Sequence, residues 1–234
     1  MENQSNFLPG NYIHIPGLLN ATVLAHVDQL MAGLNFVDGK ATASGAAKEI
    51  KQNLQAQPGN SSLQELQQII MQSCSTHPLV QMAVMPKFMV PPVIGKYEKG
   101  MSYGWHTDSP VMMGEGHPLR VDVSMTVGLS DPQSYEGGEL VIHNGSGYSS
   151  YKLNKGDAII YPTTRLHAVN EVISGTRTVA VTWMQCMVKE ASHRELLFQL
   201  KYVQENTARQ NLHSMENLLL MQIHSNLLRM WAEL

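Results

Sequence analysis

The sequence predicts an α+β protein whose centre is a β-sandwich or a jelly-roll barrel, with helices before and after it. The central part contains short runs rich in Val, Ile, Tyr and Thr, and Gly, Pro, Asn or Asp separates each run from the next. Apolar residues at helical spacing lie on both sides of this part. A chain of 234 residues can bury one sizeable core, so we expect one structural unit with helical additions.

The first elements predicted are a short strand and a helix. After a loose lead-in over residues 1–11, the segment Tyr12-Ile-His-Ile-Pro16 predicts a strand that ends at the proline, because residues before proline favour extended geometry. Asn20 is a candidate N-cap for the helix that follows. The apolar face of this helix comprises Val23, Leu24, Val27, Leu30 and Met31.

A second strand and a second helix are predicted before the β-rich centre. Phe36-Val-Asp-Gly39 predicts a strand followed by a turn. Residues 40–59 have weak periodicity, which favours a loop or a short helix. The second helix is expected to begin after Asn60-Ser-Ser62 and to stop before His77-Pro78.

The β-rich centre is predicted to contain eight short strands. Gly137 and Gly138 supply residues that adopt positive φ, and Asn154-Lys-Gly-Asp157 predicts a tight turn. The predicted strands are Lys87–Val90, Pro92–Tyr97, Arg120–Leu129, Gly138–His143, Ser149–Lys152, Ala158–Tyr161, Leu166–Val172 and Thr176–Met187.

Two helices are predicted to close the chain. Ser192 is a candidate cap for the first, and leucines and methionines at helical spacing between Leu212 and Trp231 form the second. Their wide apolar faces imply packing on the barrel or on another subunit, and we predict a homodimer.

Composition excludes several classes of function. The net charge of −3 and the pI near 6.3 provide no basic surface for nucleic acid. No apolar run approaches the roughly 20 residues of a membrane span, and the N-terminus lacks the features of a signal peptide. We therefore expect a soluble, cytoplasmic protein. Cys74 and Cys186 are too few for a disulfide framework and are expected to be buried thiols.

A metal site is predicted from two histidines and one aspartate. His106 and Asp108 are two positions apart, and residues i and i+2 of an extended strand point to the same face. His167 follows about sixty residues later at the start of a predicted strand, and a jelly roll brings such distant strands together. Two histidines and one carboxylate form the facial triad that suits non-haem ferrous iron oxygenases, because it leaves coordination positions open.

Arg177 predicts a binding site for a small carboxylate. It lies ten residues after His167, within the apolar run Thr176–Met187. A buried guanidinium without a partner is costly, and its planar fork binds a carboxylate through two hydrogen bonds. We therefore expect Arg177 to anchor a dicarboxylate cosubstrate near the metal.

The chain resembles the PKHD-type hydroxylases, a bacterial branch of the Fe(II)- and 2-oxoglutarate-dependent dioxygenases related to the prolyl 4-hydroxylase catalytic domain. The resemblance covers nearly the whole chain. It is carried by Ile13-His-Ile-Pro-Gly-Leu18, Val37-Asp-Gly-Lys-Ala-Thr42, Tyr97-Glu-Lys-Gly-Met-Ser-Tyr103, Tyr135-Glu-Gly-Gly-Glu-Leu-Val141, Ala180-Val-Thr-Trp183, Leu196-Leu-Phe198 and Asn226-Leu-Leu-Arg-Met-Trp231.

The resemblance implies a double-stranded β-helix, or jelly-roll, core with N-terminal and C-terminal helices packed on it. The expected division is an N-terminal support over residues 1–76, a dioxygenase core over 77–190 and a helical extension over 191–234. It also implies that the enzyme uses Fe(II), 2-oxoglutarate, dioxygen and L-ascorbate. The reaction implied is hydroxylation with release of succinate and carbon dioxide.

The residue roles that the resemblance implies agree with the predicted site. His106, Asp108 and His167 become the iron ligands, which are also the catalytic residues, and Arg177 binds the distal carboxylate of 2-oxoglutarate. Tyr97 is expected to contact the cosubstrate as well. Trp105, beside His106, either shapes the substrate pocket or packs against the barrel wall.

The substrate stays open at this stage. Free amino acids, prolyl or lysyl residues of peptides and proteins, and small metabolites are all compatible with the resemblance, and the family's link to iron uptake is known from relatives alone. Two other functions compete: a non-catalytic sensor of iron or 2-oxoglutarate on the same fold, and a cupin-like hydrolase or isomerase that uses another metal.

Overall fold

Two large antiparallel sheets, two further two-stranded sheets and six α-helices build the described part of the chain. The structure is a computed structural model, and it describes residues 7–8, 12–42, 45–114 and 116–233. The helices are α1 (Ala21–Ala32), α2 (Ala46–Glu49), α3 (Ser61–Thr76), α4 (Pro78–Ala83), α5 (Ala191–Gln210) and α6 (Met215–Trp231), and single 3₁₀ turns lie at Gly39–Thr42 and Pro132–Ser134.

The strands are short, as the spacing of the turn residues predicts. In chain order they are β1 (Phe7–Leu8), β2 (Tyr12–Ile15), β3 (Phe36–Asp38), β4 (Lys51–Gln52), β5 (Leu54–Ala56), β6 (Pro86–Met89), β7 (Val93–Tyr97), β8 (Ser102–His106), β9 (Val111–Gly114), β10 (His117–Arg120), β11 (Val123–Gly128), β12 (Tyr135–Gly137), β13 (Leu140–His143), β14 (Tyr148–Tyr151), β15 (Ala158–Pro162), β16 (His167–Val169), β17 (Val172–Gly175) and β18 (Arg177–Cys186).

The chain crosses repeatedly between a major and a minor sheet. The major sheet has the order β1-β2-β15-β11-β18-β7-β5-β3, with β6 also paired to β18, and the minor sheet has the order β14-β13-β16-β8-β4. Strand β7 is in the major sheet and β8 in the minor, β11 in the major and β13 in the minor, and the alternation continues to β18. Strands distant in sequence thus become neighbours, which is the arrangement of a jelly roll.

The two faces of the major sheet have different partners, because side chains alternate along a strand. On β18, Ala180 and Met184 point toward helices α1, α3 and α4 and belong to the largest buried cluster, together with Leu66 and Ile70 of α3. The alternate residues point toward the minor sheet. Burial on both faces explains why all six residues of β11 are buried, with Val123, Met125 and Val127 in the largest buried cluster and Ser124 and Thr126 on the alternate positions.

Asparagine side chains cap α1 and α3, and the sequence predicts the first of these caps, Asn20. Asn20 accepts a hydrogen bond from the backbone N–H of Val23 at 3.0 Å, and α1 begins at the next residue. Asn60 accepts from the N–H groups of Ser62 and Leu63 and begins α3. Such bonds satisfy amide groups that the first helical turn leaves free.

Several boundaries differ from the predictions. The predicted strand Arg120–Leu129 is two strands, because β10 ends at Arg120 and β11 begins at Val123. The predicted strand Leu166–Val172 also divides, since β16 joins the minor sheet whereas β17 pairs with β12. The N-cap of α5 is Glu190 instead of Ser192, without a side-chain hydrogen bond. The predicted lead-in lies outside the described residues, apart from Phe7–Leu8.

Residues 40–59 differ most from the prediction. They contain a 3₁₀ turn, helix α2 and the two strands β4 and β5, where only a loop or a short helix was expected. Strand β4 pairs with β8 of the minor sheet and β5 pairs with β7 of the major sheet. This segment therefore bridges the two sheets at one edge, and pairing with both edges compensates for its weak intrinsic pattern.

The closing helices pack mainly on each other and on α4. Near the C-terminus, Ala232 forms a β-bridge with Val188, and Glu233 accepts a hydrogen bond from Arg120 at 2.7 Å. Within the described part of the chain, no helix is long and apolar enough to cross a membrane.

Candidate active site

A cleft of about 560 Å³ opens between the major and minor sheets. Its walls come from residues of nine strands, β4, β5, β7, β8, β11, β13, β15, β16 and β18, and from two residues between strands, and they combine apolar with polar side chains. The lining residues are Lys51, Asn53, Gln55, Val93, Gly95, Tyr97, Tyr103, His106, Asp108, Thr126, Leu140, Tyr161, His167, Val169, Arg177, Val179, Val181 and Trp183.

The two histidines and the aspartate predicted as metal ligands converge in this cleft. His106 is the last residue of β8 and His167 the first of β16, and the two are paired across the strands. One ligand atom from each of His106, Asp108 and His167 lies within 4.8 Å of the others. The Nε2 atom of His167 is 3.7 Å from Oδ2 of Asp108. Such a group of two nitrogens and one oxygen could hold a divalent cation.

The position of Asp108 has a different cause from the one predicted. We expected His106 and Asp108 to share a face of one strand, but β8 ends at His106 and Asp108 lies beyond it. The aspartate is held instead by the major sheet, because Ser124 of β11 donates a hydrogen bond to its Oδ2. The ligand set therefore bridges the two sheets.

Backbone contacts fix the tautomer of both imidazoles. Nδ1 of His106 lies 2.7 Å from the carbonyl oxygen of Gly104, and Nδ1 of His167 lies 3.0 Å from that of Arg165. A carbonyl can only accept, so each Nδ1 carries the proton and each Nε2 keeps a lone pair for a metal. Burial, reinforced by the neighbouring His167, lowers the pKa of His106 to about 4, so its imidazole is neutral at neutral pH.

Arg177 is buried at the cleft with incomplete hydrogen bonding. Its side chain is 5% exposed, and its Nη1 has no hydrogen-bond partner among the residues that the structure describes. The guanidinium carbon lies 5.1 Å from the centre of the Tyr97 ring, which is paired with Arg177 across β7 and β18. A buried guanidinium with an unsatisfied N–H group fits an anionic ligand.

Tyr97 and Gly138 shape the surroundings of Arg177. Burial raises the pKa of Tyr97, so its hydroxyl stays protonated and can donate a hydrogen bond to a carboxylate. Gly138 has φ of +67°, and a Cβ at this position would lie 3.0 Å from Cδ of Arg177. Glycine is therefore required there both for the backbone conformation and for the space of the arginine.

Three polar residues of the cleft were missed in the sequence. Lys51 of β4, Asn53 between the strands and Gln55 of β5 occupy alternate positions, and each is at most 8% exposed. Period-two spacing of polar residues is the signal of a polar strand face, but their neighbour Gln52 is polar too and obscures it. Burial lowers the pKa of Lys51 to about 8, an effect that the carboxylates of Asp108 and Asp38 oppose.

Trp105 lies outside the cleft, although it is next to His106. Its side chain is 46% exposed and contacts the ring of Tyr148, with 5.2 Å between the ring centres. Of the two alternatives for this residue, shaping the pocket is therefore wrong in this structure. It packs on the outer side of the minor sheet instead.

Comparison with known proteins gives a consistent family. A model of the 2OG-Fe(II) oxygenase superfamily matches residues 93–185. The chain is 39% identical over 222 residues to a PKHD-type hydroxylase of Picosynechococcus sp., which covers 95% of this chain and 100% of the relative.

Solved structures share the fold at much lower identity. A prolyl hydroxylase from Trichoplax adhaerens, in complex with a hypoxia inducible factor peptide, has a TM-score of 0.52 and 16% identity and covers 75% of this chain and 83% of its own. HygX from Streptomyces hygroscopicus, with nickel, 2-oxoglutarate and hygromycin B bound, has a TM-score of 0.52 and 15% identity, covering 78% and 85%. These similarities confirm the predicted jelly-roll fold.

Proposed function

The chain belongs to the PKHD-type hydroxylases of the 2OG-Fe(II) oxygenase superfamily, and from this premise we propose how its residues bind the metal and the cosubstrate. The enzyme is a 2-oxoglutarate-dependent dioxygenase. His106, Asp108 and His167 bind ferrous iron, and Arg177 and Tyr97 bind the distal carboxylate of 2-oxoglutarate. The observation that supports this proposal best is the convergence of the three ligand atoms within 4.8 Å in one cleft with the unsatisfied Arg177.

Each residue has a distinct task in this proposal. When bound, ferrous iron and 2-oxoglutarate supply the oxidative decarboxylation that releases succinate and carbon dioxide and hydroxylates the substrate. His106, Asp108 and His167 would hold the metal, and the cleft that they line would admit 2-oxoglutarate and the substrate. Ser124 orients Asp108, and the carbonyls of Gly104 and Arg165 hold the two imidazoles. Arg177 and Tyr97 set the orientation in which 2-oxoglutarate meets the metal.

The primary substrate is an amino acid, a prolyl or lysyl residue of a peptide or protein, or a small metabolite. L-ascorbate is proposed as the reductant that keeps the iron ferrous. The competing function, a non-catalytic sensor on the same fold, is disfavoured because the chain is 39% identical to a hydroxylase over 222 residues. A cupin-like hydrolase or isomerase does not agree with the family either.

Succinate formation tests this proposal. Asp108→Ala and His167→Ala are expected to lower succinate production from 2-oxoglutarate at least a hundredfold, in the presence of Fe(II), dioxygen and ascorbate, because either change removes a metal ligand. His143→Ala, on a strand of the same sheet but outside the cleft, serves as the matched control. Wild-type succinate production by either ligand variant contradicts the ligand assignment, whereas a wild-type protein that binds 2-oxoglutarate without forming succinate supports the sensor.

We also propose that the chain forms a homodimer. Helix α6 exposes a row of apolar side chains, and it has only one buried residue, Asn217. An exposed apolar row of this length is typical of a surface that another protein covers. The second copy of this chain is the partner that we propose.

A further inference from the structure

Lys51 is a buried lysine in the cleft that forms no close ion pair with the described residues, although Asp108 and Asp38 act on its charge from a longer distance. Its side chain is 6% exposed, and its Nζ donates a hydrogen bond to Oγ1 of Thr42 at 2.8 Å. The ammonium also lies 5.4 Å from the centre of the Tyr103 ring. Among the described residues, no carboxylate oxygen lies within 4.0 Å of it, in contrast to Lys96 and Lys155, which form ion pairs.

This arrangement leaves much of the ammonium's hydrogen-bonding capacity unused. An ammonium carries three N–H donors, and the Thr42 hydroxyl is the only hydrogen-bond acceptor for it in the described part of the chain. Taking a charge out of water is costly unless it is paired. A protein that needed only to fix Thr42 could do so with a neutral side chain, so the positive charge suggests a partner that arrives with the reaction.

The position of Lys51 connects it to the reacting centre. The Tyr103 ring, on which the ammonium lies, stacks on the imidazole of His106 with 3.6 Å between ring centres and an angle of 17°. Lys51 and the proposed iron ligand His106 therefore both contact the ring of Tyr103 and line the same cleft. Arg177 belongs to the other sheet, where it is paired with Tyr97. The cleft thus contains two cations on opposite sheets, and 2-oxoglutarate accounts for only one of them.

We propose that Lys51 binds a carboxylate of the primary substrate, so that the enzyme hydroxylates an amino acid or a peptide close to a free carboxylate group. This inference rests on the proposed function of the same cleft and narrows its substrate class. The substrate's carboxylate would join the Thr42 hydroxyl as an acceptor for Lys51, in the cleft that His106, Asp108 and His167 also line. Lys51 is in this sense a specificity-determining residue.

Charge and size favour a carboxylate over a phosphate. One ammonium balances one monoanion, whereas phosphate sites in proteins combine several donors, such as arginine forks or a helix N-terminus. Apart from Arg177, Lys51 is the only Lys or Arg among the residues that line the cleft. The cleft must also accept 2-oxoglutarate, so the part of the substrate that enters shares this space with the cosubstrate.

Matched acids and amides provide the test. The probes are the twenty L-amino acids and their N-acetyl derivatives, each as the free acid and as the carboxamide, added to the Fe(II) enzyme with 2-oxoglutarate and ascorbate. The wild-type enzyme is expected to form succinate at least tenfold faster with one or more of the acids than with the corresponding amides at equal concentration. Mass spectrometry should detect one added oxygen atom in the stimulating acid.

Variants of Lys51 then test whether this side chain binds the substrate's carboxylate. Lys51→Met is expected to raise the KM of the stimulating acid at least tenfold, and Lys51→Arg to restore most of that loss because it keeps the charge. Thr42→Val removes the hydroxyl acceptor but not the charge, so its preference for acid over amide should persist. Lys96→Met, on the neighbouring strand β7 but outside the cleft, is the matched control.

Binding measurements separate the substrate from the cosubstrate. The Kd of 2-oxoglutarate for the anaerobic Fe(II) protein should change less than threefold in Lys51→Met, and the stimulating acid should raise the melting temperature of the wild type but not of this variant. A tenfold loss of 2-oxoglutarate affinity would assign Lys51 to the cosubstrate and overturn the proposal.

The remaining outcomes are equally decisive. Equal stimulation by acids and amides, or no stimulation by any acid in a wild-type enzyme that forms succinate, rejects the carboxylate assignment while leaving the proposed function intact. If Lys51→Met does not fold, the comparison of Lys51→Arg with the wild type, together with the acid and amide pairs, still decides between charge recognition and a structural role. Absence of any succinate from the wild type rejects the proposed function itself.

Discussion

At the residue scale, the role of a side chain in the site depends more on the groups that it contacts than on its residue type. Ser124 is an ordinary buried serine until its hydrogen bond to Asp108 is considered. Arg177 and Lys51 are both buried cations, but the first leaves Nη1 unpaired and the second contacts a neutral hydroxyl. In both cases the protein provides charge that its own described residues do not neutralise, and such groups are common at binding sites.

The first prediction concerns Arg177. Arg177→Met should raise the Kd of 2-oxoglutarate at least tenfold, because a charge-assisted hydrogen bond contributes about 1.5–3 kcal/mol and about 1.4 kcal/mol corresponds to a factor of ten. Arg177→Lys should recover part of the affinity, since lysine keeps the charge without the planar fork. Absorbance titration of the anaerobic Fe(II) protein measures this constant.

Iron binding provides the internal control for that experiment. Arg177 is not among the three proposed ligands, so the affinity for Fe(II) alone should stay within threefold of the wild type, and Arg209→Met on α5 should change neither constant. If Arg177→Met binds 2-oxoglutarate with unchanged affinity, the proposal that Arg177 binds the cosubstrate is wrong.

Some site residues could be predicted from the sequence and others could not, for a physical reason. His106, Asp108, His167 and Arg177 have side chains whose chemistry is conspicuous in an apolar, β-rich context. Lys51 has no such context, because its segment resembles a polar surface stretch and its burial depends on pairing with β8. The local sequence pattern indicates which secondary structure a residue favours. Its burial, however, depends on strands and helices that are distant in sequence.

At the element scale, the segment from Gly39 to Ala56 is the part of the fold that completes the cleft. The backbone N–H of Gly39 donates to the carbonyl of Asn53 at 2.9 Å, and β5 continues the major sheet next to β7. A Cβ added at Gly39 would overlap Oδ1 of Asn53 and approach the backbone of the same residue. The 3₁₀ turn can therefore pack on β5 only with glycine at this position.

The second prediction tests this close approach. Gly39→Ala should destabilise the protein by about 1–3 kcal/mol, as overpacking of a tight site does, and should displace Asn53 from the cleft wall. Gly147→Ala is the matched control, because the nearest atom to its added Cβ is 3.9 Å away. Denaturant unfolding measures the free energy of unfolding of both variants. Equal values would show that the 3₁₀ turn accommodates the added methyl group without loss of stability, which contradicts the prediction.

Element boundaries were predictable where a local device fixes them. Asn20 caps α1 at the position that the sequence indicates, whereas α3 begins at Ser61, two residues before its predicted start. The predicted N-cap of α5, Ser192, was wrong by two residues. Glu190 occupies the cap without a side-chain hydrogen bond, so no capping residue in the sequence marks this helix start. The division of Leu166–Val172 could not be predicted either, since it depends on which sheet each half joins.

At the scale of the whole molecule, the jelly roll explains why residues sixty positions apart share one centre. The chain moves between sheets after almost every core strand, so β8 and β16 become neighbours in the minor sheet while β11 supports Asp108 from the major sheet. The helices on the outer face of the major sheet bury its apolar residues and leave the inner face free for polar chemistry. Fold and site are thus two consequences of the same alternation.

The last prediction concerns assembly through α6. Met215, Leu219, Ile223 and Met230 are spaced by four, four and seven positions, which places them on one side of the helix, and each is at least 47% exposed. On the side of α6 that faces α5, the buried Asn217 accepts a hydrogen bond from Gln204 and donates one to the carbonyl of Leu212. Most helices gain stability by burying an apolar face, and here that face lies on the outside.

A two-fold symmetric pair of α6 helices would bury this row, because the same surface then contributes from both copies. Light scattering at micromolar protein should therefore give twice the chain mass of 26.0 kDa. The double substitution Leu219→Glu and Ile223→Glu should reduce the mass to one chain by placing like charges opposite each other, while Ser225→Glu, which points to another side of the helix, should not. A monomeric wild type, or a double variant that stays dimeric, contradicts the proposed interface.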